Sequence, residues 1–267
     1  MEISQTIGYV LAAFVGLILG MLGSGGSILS VPILVYVMGI EPILATAYSL
    51  FIIGTTSLVG GIHKAQQQLV DFNKVFLLGI PAVISVFITR KMIVPQIPEI
   101  VFSTDYFTLS KSILIMLVFA VVMIFASVRM IQPFKEKAVL ENEKLNHAKI
   151  TPLGILIGLL SGFVGAGGGF LIVPTLLLFA KTPMKMAVGT SLFIVSSQSL
   201  IGFTGDLMGN QPIDWKLLLF FTLASIIGIF IGNFISKKIK EEKLKTGFGW
   251  FVLAMGIYII LRELFYS

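Results

Sequence analysis

Two glycine-rich runs interrupt otherwise apolar stretches of this chain: Gly23-Ser24-Gly25-Gly26-Ser27 and Gly165-Ala166-Gly167-Gly168-Gly169. Apolar residues that read as the start of a helix follow each run. The first amides of a helix have no partner within it, and that end of the helix dipole is positive. Glycine permits positive φ and lets a ligand approach the main chain. A pair of such breaks can hold an anion on main-chain N–H groups without a fixed charge. One exposed helix N-terminus stabilises an anion by roughly 0.3–1 kcal/mol, and by up to about 2 when partly buried. The candidate binding residues are therefore Ser24, Gly25, Gly26, Ser27, Gly167, Gly168 and Gly169. Hydroxyls in the apolar segments that follow can add donors. Ser49, Thr190 and Ser191 are the leading ones, with Thr55, Thr56, Ser57, Ser196, Ser197, Gln198 and Ser199 behind them. Each hydroxyl can equally bond back to its own helix carbonyls.

The two runs belong to a longer repeat. Gly16, Gly20, Gly23, Val31 and Pro32 recur as Gly158, Gly162, Gly165, Val173 and Pro174, always 142 residues later. The same offset joins Ser49-Leu50-Phe51 to Ser191-Leu192-Phe193 and Gly60 to Gly202. Duplication inside an apolar chain is a transporter pattern, with the substrate between the halves. The outer pairs Gly16-x-x-x-Gly20, Gly158-x-x-x-Gly162 and Gly228-x-x-x-Gly232 read as close helix contacts. On that reading Gly20→Ala should be milder than Gly26→Val or Gly168→Val.

These runs need elements that span a membrane. Of the 267 residues 56% are hydrophobic and 12% charged, with mean hydropathy +1.00. A soluble domain keeps about a quarter of its residues charged, so the expected class is an all-α polytopic membrane protein. Spans are predicted near 43–62, 72–92, 109–131, 184–206, 214–236 and 245–263. Ile7–Leu22 with Ile28–Met38, and Leu153–Val164 with Phe170–Ala180, are apolar arms flanking the breaks. Each half thus reads as a glycine-broken helix hairpin, with re-entrant or short arms, followed by three spanning helices. The expected organisation is a first repeat over 1–131, a cytoplasmic linker over 132–150 and a second repeat over 151–267.

Orientation follows from charge. All but five of the 19 Lys and Arg residues fall in the segments 63–75, 129–150, 181–185 and 237–245; the exceptions are Arg90, Lys91, Lys111, Lys216 and Arg262. The positive-inside rule makes the first group cytoplasmic and both termini external. Each half has an odd number of crossings, so the second repeat is inverted. Cysteines placed at Glu141 and Gln211 should label from opposite sides. The Met1–Thr6 end lacks a basic n-region and a cleavage site, so no cleaved signal peptide is expected.

Several classes fall away. The net charge of +6 is explained by topology signals, so no nucleic-acid partner is expected. There is no cysteine, and His63 and His147 read as loop residues. No metal, no cofactor and no enzymatic role are therefore expected. Partners reduce to a small anion and membrane lipid.

The pattern Gly158-x-x-x-Gly162-x-x-Gly165-x-Gly167-Gly168-Gly169-x-x-x-x-Pro174, then Ala187-x-Gly189-Thr190-Ser191-Leu192, then Ile213-Asp214-Trp215, resembles the TauE/SafE sulfite exporter family. The first repeat carries a weaker copy, with Ser27, Ala47-Tyr48 and Val70-Asp71-Phe72. The resemblance covers nearly the whole chain. It implies a transporter of the cell (inner) membrane that exports sulfite or small organosulfonates. Alternating access between the inverted halves is the leading mechanism. A passive anion channel, or an uptake carrier for another small anion, is the alternative. Export has a physical basis, since a charge crossing 100 mV is worth about 2.3 kcal/mol and the cell interior is negative.

Overall fold

The computed structural model describes residues 3–103, 108–132, 147–208, 213–236 and 241–265. The first half contains α1 (Ile3–Leu22), a 3₁₀ segment (Gly23–Leu29), α2 (Ser30–Pro32) and a π-turn (Ile33–Val37). It continues with α3 (Pro42–Gln66), α4 (Phe72–Ile88), a second π-turn (Thr89–Ile93) and α5 (Val94–Gln96). It ends with strands β1 (Ile100–Ser103) and β2 (Thr108–Ser110), then α6 (Lys111–Ile131). The second half contains α7 (His147–Val164), α8 (Gly169–Leu178), α9 (Met184–Leu207), α10 (Trp215–Ser236) and α11 (Glu241–Phe265). Among the described residues, seven segments are long and apolar enough to cross a membrane. They are Gln5–Val37, Pro42–Gln66, Phe72–Gln96, Lys111–Val128, Met184–Leu207, Trp215–Ser236 and Thr246–Phe265. The chain is an all-α polytopic membrane protein.

The helix starts have local causes. The Glu41 carboxylate accepts from the amides of Ile43 and Leu44 and caps α3. Asp71 caps α4 through the Lys74 amide, and Asp214 does the same before α10 through the Leu217 amide. Such caps satisfy orphan amides. They explain why the Val-Asp-Phe and Ile-Asp-Trp sequences sit where spans begin. His63 lies in the last turn of α3 and His147 begins α7, so neither is a loop residue. β1 and β2 form a short antiparallel pair between spans.

Gln5–Val37 is a hairpin. A Cβ on Gly8 would fall 2.7 Å from the Met38 side chain, and one on Gly26 would fall 2.7 Å from the Leu19 amide. The return arm therefore doubles back along α1 and ends level with its beginning. α7 and α8 form the equivalent hairpin around Gly165–Gly168.

The hairpins exchange partners between halves. α1 lies against α10 in parallel: Tyr9 meets Phe220, the Ser225 hydroxyl donates to the Ala12 carbonyl, and Gly20 meets Ile229. α7 lies against α4 in the same way, Gly154 on Leu78, Gly158 on Ala82 and Gly162 on Thr89. α3 and α9 cross antiparallel at the centre, Gly54 on Leu200 and Gly60 on Leu192. α6 and α11 also run antiparallel, Gly249 on Met130 and Gly256 on Ala120. Tracing these directions, the first hairpin enters from one face and the second from the opposite face, as an inverted repeat requires. α1, α3, α6 and α10 begin on the first face, while α4, α7, α9 and α11 begin on the second.

Residues 133–146 and 209–212 lie outside the described residues, and so do Glu141 and Gln211. Exposed Glu99 and Gln67 mark the two faces instead. In the cysteine-free chain, Glu99→Cys should react with an impermeant maleimide added outside intact cells. Gln67→Cys should react only after permeabilisation. Reaction of both from outside would overturn the inverted arrangement.

Candidate functional site

The two breaks meet in the middle of the molecule. The Ser24 hydroxyl donates to the Gly169 carbonyl at 3.0 Å, and a Cβ on Gly169 would fall 2.2 Å from the Ser24 carbonyl oxygen. Gly167 lies against Ile53, Val195 and Ser199, near the midpoints of α3 and α9. Ile53 and Val195 are repeat mates, so the contact sits close to the pseudo-twofold axis. The hairpin entries mirror one another: Gly23 abuts Val188, and Gly165 abuts Thr46, the repeat mate of Val188. Both glycines have positive φ, +68° and +74°, a region that strains any residue with a Cβ.

The breaks then diverge. The second runs through positive φ at Gly167 and Gly168, and Gly168 is the left-handed N-cap of α8. The first is a 3₁₀ helix from Gly23 to Leu29. Such a helix uses its own amides in i→i+3 bonds, including the Ser30 amide to the Ser27 carbonyl. Fewer free amides remain there than the sequence pattern suggests. Ser27, standing where the second copy has Gly169, has a buried hydroxyl with no partner among the described residues.

The leading candidates Ser24, Gly25, Gly26, Ser27, Ser49, Gly167, Gly168, Gly169, Thr190 and Ser191 are buried, whereas Thr55 is half-buried and Ser197 exposed; the buried ones are not equivalent. Gly26 is pressed against the α1 main chain, where a Cβ would fall 2.7 Å from the Leu19 amide. Its small size is therefore required by packing. At Gly25 the nearest group to a Cβ is Leu22, at 3.9 Å, so space is open beside it. Ser191 donates back to the Val188 carbonyl at 2.8 Å, the local bonding open to any helical serine. Thr190 accepts from the Asp71 amide at 3.0 Å, and Tyr48, its repeat mate, accepts from the Asp214 amide at 2.6 Å. These mirrored bonds tie each central helix to the start of a span in the other half. Ser49 pairs with Ser30 at 2.6 Å.

Three hydroxyls ranked lower by sequence are left available, whereas Ser197 donates back to the Phe193 carbonyl. Thr56, Ser57 and Ser199 are fully buried, and none of their hydroxyls has a partner among the described residues. Ser57 and Ser199 are repeat mates, as are Thr56 and Gln198. The Gln198 amide nitrogen donates to the Gly167 carbonyl and to Ser161, while its oxygen is unpartnered. A buried polar group without a partner costs about 1–3 kcal/mol. Ser27 in the first break, with Ser199 and Gln198 against the second, forms a polar centre suited to binding or conducting a polar solute. No feature of the sequence distinguishes Ser199 from Ser191, because the partner that each one meets is set by the fold.

Sequence comparisons agree with this architecture. Residues 9–259 match the family model described as Sulfite exporter TauE/SafE. The chain is 28% identical to a "Probable membrane transporter protein" of Xylella fastidiosa (strain Temecula1 / ATCC 700964), over 93% of this chain and 92% of that protein. It is 24% identical to the "Probable membrane transporter protein YunE" of Bacillus subtilis (strain 168), over 96% and 99%. A "Probable membrane transporter protein" of Haemophilus influenzae is 26% identical over 95% and 97%. No solved structure matches. With the match running across both hairpins and all the spans, this chain belongs to the TauE/SafE sulfite exporter family of membrane transporters.

Proposed function

We propose that the protein carries a small sulfur oxyanion, sulfite or a small organosulfonate, out of the cell across the inner membrane. The halves 1–131 and 151–267 would alternate access to one site, with the basic faces and the 132–150 linker cytoplasmic and both termini external. The anion would sit between the breaks. Its donors would be the amides at Gly167–Gly169 and the hydroxyls of Ser24, Ser27, Ser57 and Ser199, beside the open space at Gly25. The observation that carries this reading is the meeting of Ser24 with Gly169. It joins two broken hairpins from opposite faces at a centre holding buried, unpartnered hydroxyls. Neutral donors suit a carrier that must also release its cargo, and the membrane potential favours outward movement of an anion. Ser49, Thr190 and Ser191 are better explained as holding the helices that frame the site.

Ser199→Ala and Ser57→Ala test the assignment. Each should weaken sulfite binding by roughly 10- to 100-fold, as loss of a donor to a charged group predicts. Ser191→Ala should leave binding nearly unchanged. Binding is read as the sulfite concentration that half-maximally raises Tm in purified protein. Equal affinity in wild type, Ser57→Ala and Ser199→Ala would remove these hydroxyls from the site. Electrical current through a single protein, in place of slow efflux, would make it a channel.

A further inference from the structure

Arg90 lies at the first-face end of α4, within the π-turn Thr89–Ile93, and is 1% exposed. π-turns inside helices often mark functional positions. Its Nη1 donates to the Thr46 hydroxyl at 3.1 Å and to Asp206 at 3.4 Å. Its Nε and Nη2 have no partner among the described residues. Those two nitrogens form one edge of the guanidinium, with parallel N–H groups that match two oxygens of an oxyanion.

Arg90 lines a cavity of about 420 Å³ whose wall also includes Lys91, Lys111, Gly205 and Asp206. Lys91 and Met208, both exposed, stand at its mouth. Three cations face one carboxylate, so the cavity is positively charged. Its floor adjoins the second glycine break through one side chain, because Thr46 touches both Arg90 and Gly165. The repeat mate of Arg90 is Gly232, so this cation belongs to one half only.

We propose that this cavity is a second oxyanion site on the first face, distinct from the break residues, in which the free edge of Arg90 grips two oxygens while Lys91 and Lys111 balance the charge. Sulfate, a sulfonate and a lipid phosphodiester share the chemistry it recognises. The site does not depend on which anion the breaks carry.

Sulfate is the probe, since it does not react with maleimides. In Met208→Cys, purified in neutral detergent, millimolar sulfate should slow labelling by a fluorescent maleimide several-fold against chloride at equal ionic strength. Protection should disappear in Met208→Cys/Lys111→Gln, which keeps the Arg90–Asp206 pair, and in Met208→Cys/Arg90→Gln/Asp206→Asn, which removes both members of that pair together. It should persist in Met208→Cys/Ser199→Ala, so failure of the break site and failure of this one are separable. Repeating the labelling in nanodiscs identifies the source of the oxyanion. Slowing by phosphatidylglycerol alone, without added sulfate, assigns the cavity to a headgroup; slowing by sulfate in phosphatidylcholine assigns it to a free ion. Labelling rates indifferent to both, or protection that survives both charge-removing variants, would overturn the proposal.

Discussion

Gly25→Val is expected to stop sulfite efflux from proteoliposomes while leaving Tm within a few degrees of wild type. A Cβ there has no neighbour closer than Leu22 at 3.9 Å, so the substitution fits without displacing backbone. The side chain would fill the open space beside Gly25, where the proposed anion lies. Gly26→Val is the informative contrast. Its Cβ would press on the Ile18 and Leu19 main chain, at 2.8 and 2.7 Å, so loss of transport there should come with loss of fold. The sequence treats Gly26 and Gly168 as equivalent blockers of the site; the structure makes Gly25 the cleaner one. Gly25→Val that exports at the wild-type rate would place the anion elsewhere.

Gly228→Val is expected to lower Tm sharply or to prevent recovery of folded protein. A Cβ at Gly228 would fall 1.9 Å from the Ala13 carbonyl oxygen, and one at Gly232 would fall 2.0 Å from that of Leu17. Helix backbones touch here, so α1 and α10 must separate to admit any side chain. Overpacking of a tight contact costs about 1–3 kcal/mol, and valine adds two methyl groups to the clash. Gly20→Ala belongs with it: the Ile229 carbonyl lies 2.3 Å from its Cβ position. The expectation of a mild effect at Gly20 is therefore revised. In membranes a packing face of small residues can be the least tolerant surface, because close backbone approach is what holds it together. Gly247→Ala is the control, with nothing within 4 Å of its Cβ; its Tm should not fall.

Much of the fold is legible in the chain because hydropathy, glycine spacing and the 142-residue offset are local properties. The spans expected at 43–62, 184–206 and 214–236 are observed as Pro42–Gln66, Met184–Leu207 and Trp215–Ser236. The outer glycines are packing residues, as their four-residue spacing implies. The site is less legible. Ser191 and Ser199 are both helical serines, yet one bonds its own turn while the other faces Gly167 in the second break. Thr190 meets Asp71 from 119 residues away. Arg90 reads as an interfacial topology charge, and only the fold reveals that it is enclosed by Thr46 and Asp206. Partners supplied by the other repeat leave no trace in local spacing.

The exchange of hairpins between halves also constrains how the protein is made. α1 leaves the ribosome about 200 residues before α10, the helix whose glycines receive it. Until α10 is inserted, Gly16 and Gly20 face lipid, and the broken backbone at Gly23–Leu29 has no Gly169 to meet. Contacts this distant in sequence make assembly slow and leave early segments exposed to wrong partners. Neither half is a self-sufficient unit, because each supplies the wall against which the other's hairpin closes. That interleaving is the geometry of two identical antiparallel subunits joined into one polypeptide.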